Sequence, residues 1–541
     1  MEQQRNLLLM LLIAAGLFLF FDWNQDKANE ARLAEQVTEI STQADSEVSL
    51  DNTIKLISDN LELTISLNGG DIVDAKLLKI KKELDKEDPF ELLMTQPKFI
   101  YQAQSGLAGP DGIDNASRPL YTADKTEYKM AEADNSVSAS ISLEKDGVTY
   151  VKTFSVDRNS YVVNVSYDIK NAGSKDLNLV MYGQLKQSVD NEAIQPSGGF
   201  GMVASAYRGT AYSTDETRYE KTSLDDIASG DRFKVNTKNG WVAMIQHYFV
   251  SAWVGSDSEN GNVIYKNSGK KDEIAIIGIM SGNTKIAVGE QKTLSSKLWV
   301  GPKDQDVMNE VAENLGLTVD YGWLWFISKP LFKLLTFIQS FVGNWGLAII
   351  VLTFIVRGVM FPLTKAQYTS MAKMRLLQPK IQEIRERYKD DRQKAGAETM
   401  KLYKTEKVNP LGGCLPLLIQ MPIFIALYWT LMESAELRQS AFILWIKDLS
   451  VYDPFFVLPL LYGVSMFIMQ KMSPTAVTDP LQKKIFMAMP FVFTFMFCTF
   501  PAGLTLYWLV SNCFTILQQV IIYRSLEKKG LSMKTPAKDK K

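Results

Sequence analysis

Arg357 is the residue with the most chemistry to explain. It is the one charge in an otherwise apolar block, residues 344–363, and no Asp or Glu occurs in the further charge-free blocks at 411–432, 454–470 and 485–523. A guanidinium inside an apolar helix costs several kcal/mol unless it meets water, a polar partner or a phosphate. Two placements satisfy it, and the residues alone leave both open. Either it stands in a wet cavity and attracts a ligand that brings negative charge, or it snorkels to headgroups, because the block ends about seven residues on, roughly 10 Å along a helix. The same blocks hold Thr353, Gln420, Tyr428, Gln470, Thr494, Tyr507, Ser511, Asn512, Gln518 and Gln519. That is more hydrogen-bonding capacity than helix packing alone requires. A subset facing Arg357 would make a wet cavity in the inner half of a bilayer, with the rest joining helices. Met421, Phe424 and Leu427 and the run Phe491, Phe493, Phe495, Phe497 are the apolar counterpart, facing lipid or packed in a core.

Other chemistries lack carriers. The single histidine, His247, gives no His–His metal pair and reads as a packed residue of one strand-like run at 241–253. The three cysteines, Cys414, Cys498 and Cys513, all lie in apolar runs, which leaves no disulfide framework or thiolate metal site outside them. No phosphate-binding glycine loop and no GxSxG elbow occurs, so neither an enzyme nor a metal or other cofactor is expected. A net charge of −1 argues against a nucleic-acid binder coated in Lys and Arg.

That average hides a segregation. Residues 24–320 carry 31 basic and 45 acidic residues, whereas 321–541 carry 27 and 13. Six membrane spans are expected. The first, at 7–21 within an uncleaved anchor 1–23, is followed by 344–363, 411–432, 454–470 and two helices within 485–523, divided near Pro501-Ala502-Gly503. Lys and Arg number 12 in loop 364–410, three in 471–484 and seven in the tail from Arg524, against two in 433–453. Cytosolic loops collect these residues, so both termini and the first two of these loops are assigned to the cytosol, with 24–320 on the other side.

Residues 321–343 carry a polar stripe, 329, 333, 336 and 340, on an otherwise greasy helix that would lie on the outer leaflet. Loop 364–410 reads as a helical hairpin. Met374, Leu377, Ile381, Ile384 and Tyr388 form its seam, Pro379 interrupts it and Gly396 sits in its middle. The basic hairpin and the tail 524–541 could meet lipid headgroups or ribosomal RNA, although retention on the cytosolic side alone explains their charge. Between 24 and 320, after a polar start, alternating runs at 61–67, 148–156, 161–167, 177–184, 241–254, 273–280 and 292–300 predict a large β-sandwich.

Four stretches carry a resemblance: GNWGLAIIVLTFIVRGVMFPLTKAQYTSMAKMRLLQPKIQ from Gly343, VNPLGGCLPLLIQMPIFIALYWTL from Val408, KMSPTAVTDPLQKKIFMAMP from Lys471 and FPAGLTLYWLVSNCFTILQQ from Phe500. Together they resemble the YidC/Oxa/Alb family of membrane protein insertases in its Gram-negative, six-span form. Over 24–320 the likeness rests on the β-rich insert and LWVGPKD from Leu298. The resemblance implies a polytopic α-helical membrane protein with a five-helix insertase core and a large periplasmic β-sandwich. It implies a non-enzymatic groove, open to cytosol and lipid, whose arginine matches Arg357. Gln470, Trp508 and Tyr507 would then stand near it, with Thr353, Gln420 and Asn512 completing the groove. Met421, Phe424 and Leu427 would be part of an apolar slide for the substrate. The implied partners are nascent membrane proteins, the Sec translocon, the ribosome and signal-recognition machinery, and the phospholipid bilayer of the inner membrane.

Two rivals differ in class. An anion transporter could use Arg357, but the core spans show neither a repeated half nor an ion-coupling carboxylate. A periplasmic carbohydrate sensor could use the sandwich, but its cytosolic output would be only a hairpin and a short tail.

Overall fold

The computed structural model describes residues 52–115, 117–190, 207–230, 232–256, 260–268, 273–389, 391–406, 408, 415–472 and 480–528. The expected first span at 7–21, the tail from 529 and residues 473–479 of loop 471–484 lie outside them. The chain forms two compact units, one built from residues up to Thr318 and one from Val319 onward.

In the first unit, strands such as Val148–Asp157 bury alternate residues, as a two-residue side-chain period dictates. Among the described residues the strands form an eleven-stranded and a nine-stranded sheet. Leu177–Ser188 lies between Phe99–Ala108 and Ile274–Ser281 in the first sheet, all antiparallel. Gln291–Pro302 lies between Val162–Asn171 and Phe249–Val254 in the second. Tyr101, Phe154, Tyr167, Leu185, Trp253 and Leu298 are fully buried between the sheets. The Tyr101 hydroxyl donates to the Met244 carbonyl at 3.3 Å and Trp253 Nε1 to the Gln184 carbonyl at 3.2 Å, tying one sheet to the other. The β-sandwich read from the sequence is therefore present.

Its interior also holds charge. Arg118 pairs with Asp71 and with Asp114. Lys152 Nζ donates to the carbonyls of Gly69, Gly70 and Ser105 at 3.1, 2.7 and 3.0 Å, while burial pushes its ammonium down to about 7. Gly70, at φ +66°, is required there because a Cβ would stand 2.8 Å from Lys152 Cδ.

The run at 241–253 is a hairpin rather than one strand. Trp241–Ile245 pairs antiparallel with Phe249–Val254, and Gln246 N donates to the Phe249 carbonyl at 2.9 Å. His247 lies in the turn, its ring stacked on Tyr248 at 3.8 Å between centroids. The sequence hid the turn because both strands are buried on both faces, so hydrophobicity runs almost unbroken across it.

The second unit is helical: α1 (Trp325–Val342), α2 (Trp345–Val359), α3 (Phe361–Leu376), α4 (Gln378–Arg387), α5 (Arg392–Thr405), α6 (Leu415–Glu433), α7 (Val457–Met472), α8 (Pro480–Phe497) and α9 (Ala502–Glu527). Gly343, at φ +65°, ends α1 and Asn344 starts α2 by accepting from Leu347 N at 3.0 Å. Pro501 precedes α9, where its missing N–H costs nothing. Ala348, Ile349, Leu352, Leu427, Leu431, Phe497 and Leu506 form the shared core. Ser328 of α1 donates to the Ala426 carbonyl of α6 at 3.0 Å. Met374, Leu377 and Ile381, three of the five expected seam residues, pack with Leu402, Tyr403 and Val408. The turn of the hairpin, however, falls between Tyr388 and Asp391, and Gly396 lies inside α5. Asp391 decides this by capping α5, accepting from Lys394 N at 2.9 Å, whereas a helix tolerates an internal glycine for about 1 kcal/mol.

By length and composition one helix among the described residues, Ala502–Glu527, is able to cross a membrane alone. Trp345–Val359 and Phe361–Met374 pass only as a pair, across a 59° bend, and Ile419–Glu433, Val457–Met472 and Met487–Phe497 are shorter apolar helices.

Candidate functional site

Arg357 stands in the last turn of α2, half-buried. Its Nε donates to Ser511 Oγ of α9 at 2.7 Å, and Nη2 reaches the same hydroxyl. Gln518, two turns further along α9, donates Nε2 to the Arg357 carbonyl at 3.1 Å. That carbonyl is one of those a helix end leaves unpaired, so α9 both caps α2 and orients its guanidinium. Tyr507 and Tyr368 are the ionisable groups whose electrostatics reach Arg357; among the described residues no carboxylate pairs with it. The cation is thus held by neutral groups and keeps its charge uncompensated.

Other predicted residues fall around this pair in distinct ways. Tyr507 is buried one turn before Ser511 on the same face of α9. Asn512 turns to α7 instead, donating Nδ2 to Ser465 Oγ at 3.2 Å. Thr353 lies one turn before Arg357 but is fully buried, and its hydroxyl donates to the Ile349 carbonyl of its own helix at 2.7 Å. Gln420 and Gln470 are half-buried on α6 and α7. Trp508 sits in an aromatic cluster, parallel to Phe424 at 5.0 Å and edge-on to Phe497 at 3.9 Å, with Tyr462 and Phe500 beside it. Of the apolar trio, Met421 is 49% exposed, Phe424 is half-buried against Trp508 and Leu427 is fully buried. A buried leucine offers no surface to a passing chain.

Ser511 and Gln518 carry the direct contacts, yet nothing in the sequence set them above the other polar residues of the spans. Their signal was periodicity: 507, 511 and 518 share one face of a helix.

The family model of the YidC periplasmic domain matches residues 53–334, and that of the 60Kd inner membrane protein matches 337–529. The chain is 52% identical to the membrane protein insertase YidC of Aeromonas salmonicida (strain A449) over a 553-residue alignment, covering 99% of this chain and 100% of that one. The chain belongs to the YidC family of membrane protein insertases. The YidC of Aeromonas hydrophila subsp. hydrophila is likewise 52% identical, over 98% of this chain and 99% of its own. A crystal structure of an active YidC insertase with its first transmembrane domain resolved covers 90% of this chain and 96% of that one, at 19% identity and a TM-score of 0.38. In YidC terms the sandwich is the periplasmic domain, and the helical unit carries Arg357 in the inner-membrane part.

Proposed function

We propose that the chain inserts newly made proteins into the bacterial inner membrane and helps them fold, alone or with the Sec translocon, through a groove open to cytosol and lipid. The observation that carries this reading is the Arg357–Ser511 contact: a half-buried guanidinium positioned by a neutral hydroxyl, with no carboxylate partner among the described residues. In a site less polar than bulk water such a charge attracts the acidic flank of an incoming segment, and no nucleotide is needed. The half-buried Gln420, Gln470 and Asn512 supply the polar walls, with the buried Thr353 and Tyr507 backing them. Trp508, stacked on Phe424, separates these walls from an apolar slide formed by Met421 of α6 and the exposed Phe491 and Phe495 of α8, which Leu427 backs from the core.

In this reading the span at 7–21, α2, α6, α7, α8 and α9 cross the membrane. Both termini and the α3–α5 region face the cytosol, residues 24–320 are periplasmic, and α1 lies on the outer leaflet. The Lys/Arg bias of the loops supports that orientation. The exposure of Trp323, Trp325, Phe326, Phe337 and Phe341 supports the placing of α1. With 15 and 16 residues, α2 and α7 are only about 22–24 Å long, and a bilayer thins around such helices, which lowers the barrier to a hydrophilic flank. The hairpin and tail receive the ribosome and signal-recognition machinery, and the sandwich docks the translocon. Photo-crosslinkers at Asn512 and at Met421 test the groove against a ribosome-stalled substrate. The acidic flank should crosslink from Asn512 and the apolar segment from Met421; equal crosslinking of both segments from both positions contradicts the division.

A further inference from the structure

A hollow of about 440 Å³ lies where α3 meets the end of the hairpin, outside the Arg357 site. Lys365, Ala366, Thr369, Ser370 and Lys373 line it from one face of α3, and Val408 closes it from the segment after α5. Neither lysine is ion-paired among the described residues, whereas two hairpin lysines are matched, Lys380 to Glu406 at 2.7 Å and Lys401 to Glu398 at 3.7 Å. No carboxylate lines the hollow. The Thr369 hydroxyl already donates to the Lys365 carbonyl at 2.7 Å, so the two ammonium groups are its anion-binding donors. They are eight residues apart, about 12 Å along the helix, a span that two long flexible side chains close onto one phosphodiester. Ala366 and Val408 add an apolar wall beside these charges, which free phosphate would leave unused. The hollow opens just past the α2–α3 bend, where the apolar block ends; in the orientation proposed above, headgroups of the cytosolic leaflet begin there.

We propose that this hollow binds the phosphodiester headgroup of an anionic phospholipid. The inference rests on the cytosolic orientation proposed above. A bound lipid there contacts both the helix that continues from Arg357 and the base of the hairpin, so it sets the hairpin's position at the mouth of the groove.

The test is native mass spectrometry of the full chain released from nanodiscs of phosphatidylcholine with a minor fraction of phosphatidylglycerol. Wild type should retain phosphatidylglycerol in preference to phosphatidylcholine. Lys365→Gln/Lys373→Gln should weaken that preference on the order of tenfold. Lys365→Arg/Lys373→Arg should keep it, as should the control Lys401→Gln/Lys404→Gln. Loss of retention on adding inorganic phosphate shows that the phosphate group suffices; retention despite it shows that the whole lipid is recognised. A preference unchanged in the double glutamine variant, or absent from wild type, overturns the proposal. Trypsin applied to sealed inside-out vesicles reads the orientation separately. An uncut hairpin there refutes the orientation without touching the lipid result.

Discussion

The Arg357 guanidinium and the Ser511 hydroxyl form a charge-assisted contact between two helices, and such bonds contribute about 1.5–3 kcal/mol when buried. Ser511→Ala should therefore lower the thermal stability of the detergent-purified protein by that order. In Arg357→Leu/Ser511→Ala the loss should be smaller than the sum of the single losses, because the cation needing the hydroxyl is gone. Additive losses, measured by thermal unfolding of the four proteins, contradict a direct coupling. Sequence patterning singled out Arg357 because an unpaired charge in an apolar block is visible in one dimension. It could not choose Ser511 over Asn512, since the two are adjacent and the choice depends on which neighbouring helix each faces: α2 for Ser511, α7 for Asn512. Trp508 and Leu427 were ambiguous for the same reason, an apolar residue in a span being equally suited to lipid, substrate or core.

Helix packing and strand pairing depend on small details that the same reasoning reaches only in part. Gly343, Asn344 and Pro501 mark helix ends through their own backbone preferences and were readable. The 59° bend between α2 and α3 was not, because nothing in the residues 357–362 forbids a continuous helix except Pro362, which a first turn also accepts. Between α7 and α8, a Cβ at Gly463 would stand 2.0 Å from Thr494 Oγ1. Gly463→Ala should destabilise the helical unit by about 1–3 kcal/mol, and Thr494→Ala should recover part of it, again by thermal unfolding. In the sandwich, burial pushes the Asp74 carboxyl up to about 6, with Glu91 and Glu62 adding to the shift and Lys76 opposing it. The folded domain then holds a proton that the unfolded chain has released. This contribution to stability is complete below the ordinary carboxyl value near 4 and lost as pH rises through 6. Asp74→Asn should raise domain stability at pH 7 by about 1–2 kcal/mol after solvent screening and flatten its dependence between pH 4 and 6. An unchanged profile in denaturant titrations contradicts the assignment.

The whole chain combines two units with separate cores, a β-sandwich rich in buried polar groups and a helical unit whose exposed residues are largely apolar. This division was legible in the charge segregation of the sequence and in its change from a two-residue to a helical period near residue 320. The number of crossings was less so, because short helices such as α2 and α7 span only by deforming the bilayer, and sequence blocks do not reveal where a bend divides them. The proposed groove depends on the uncompensated positive charge that the helical unit presents to substrates. Its most direct test is insertion of a small membrane protein with an acidic outer tail into liposomes containing the purified chain, scored by protease protection. Wild type and Arg357→Lys should insert it, while Arg357→Ala should lose at least tenfold. Equal insertion by Arg357→Ala would contradict the electrostatic groove.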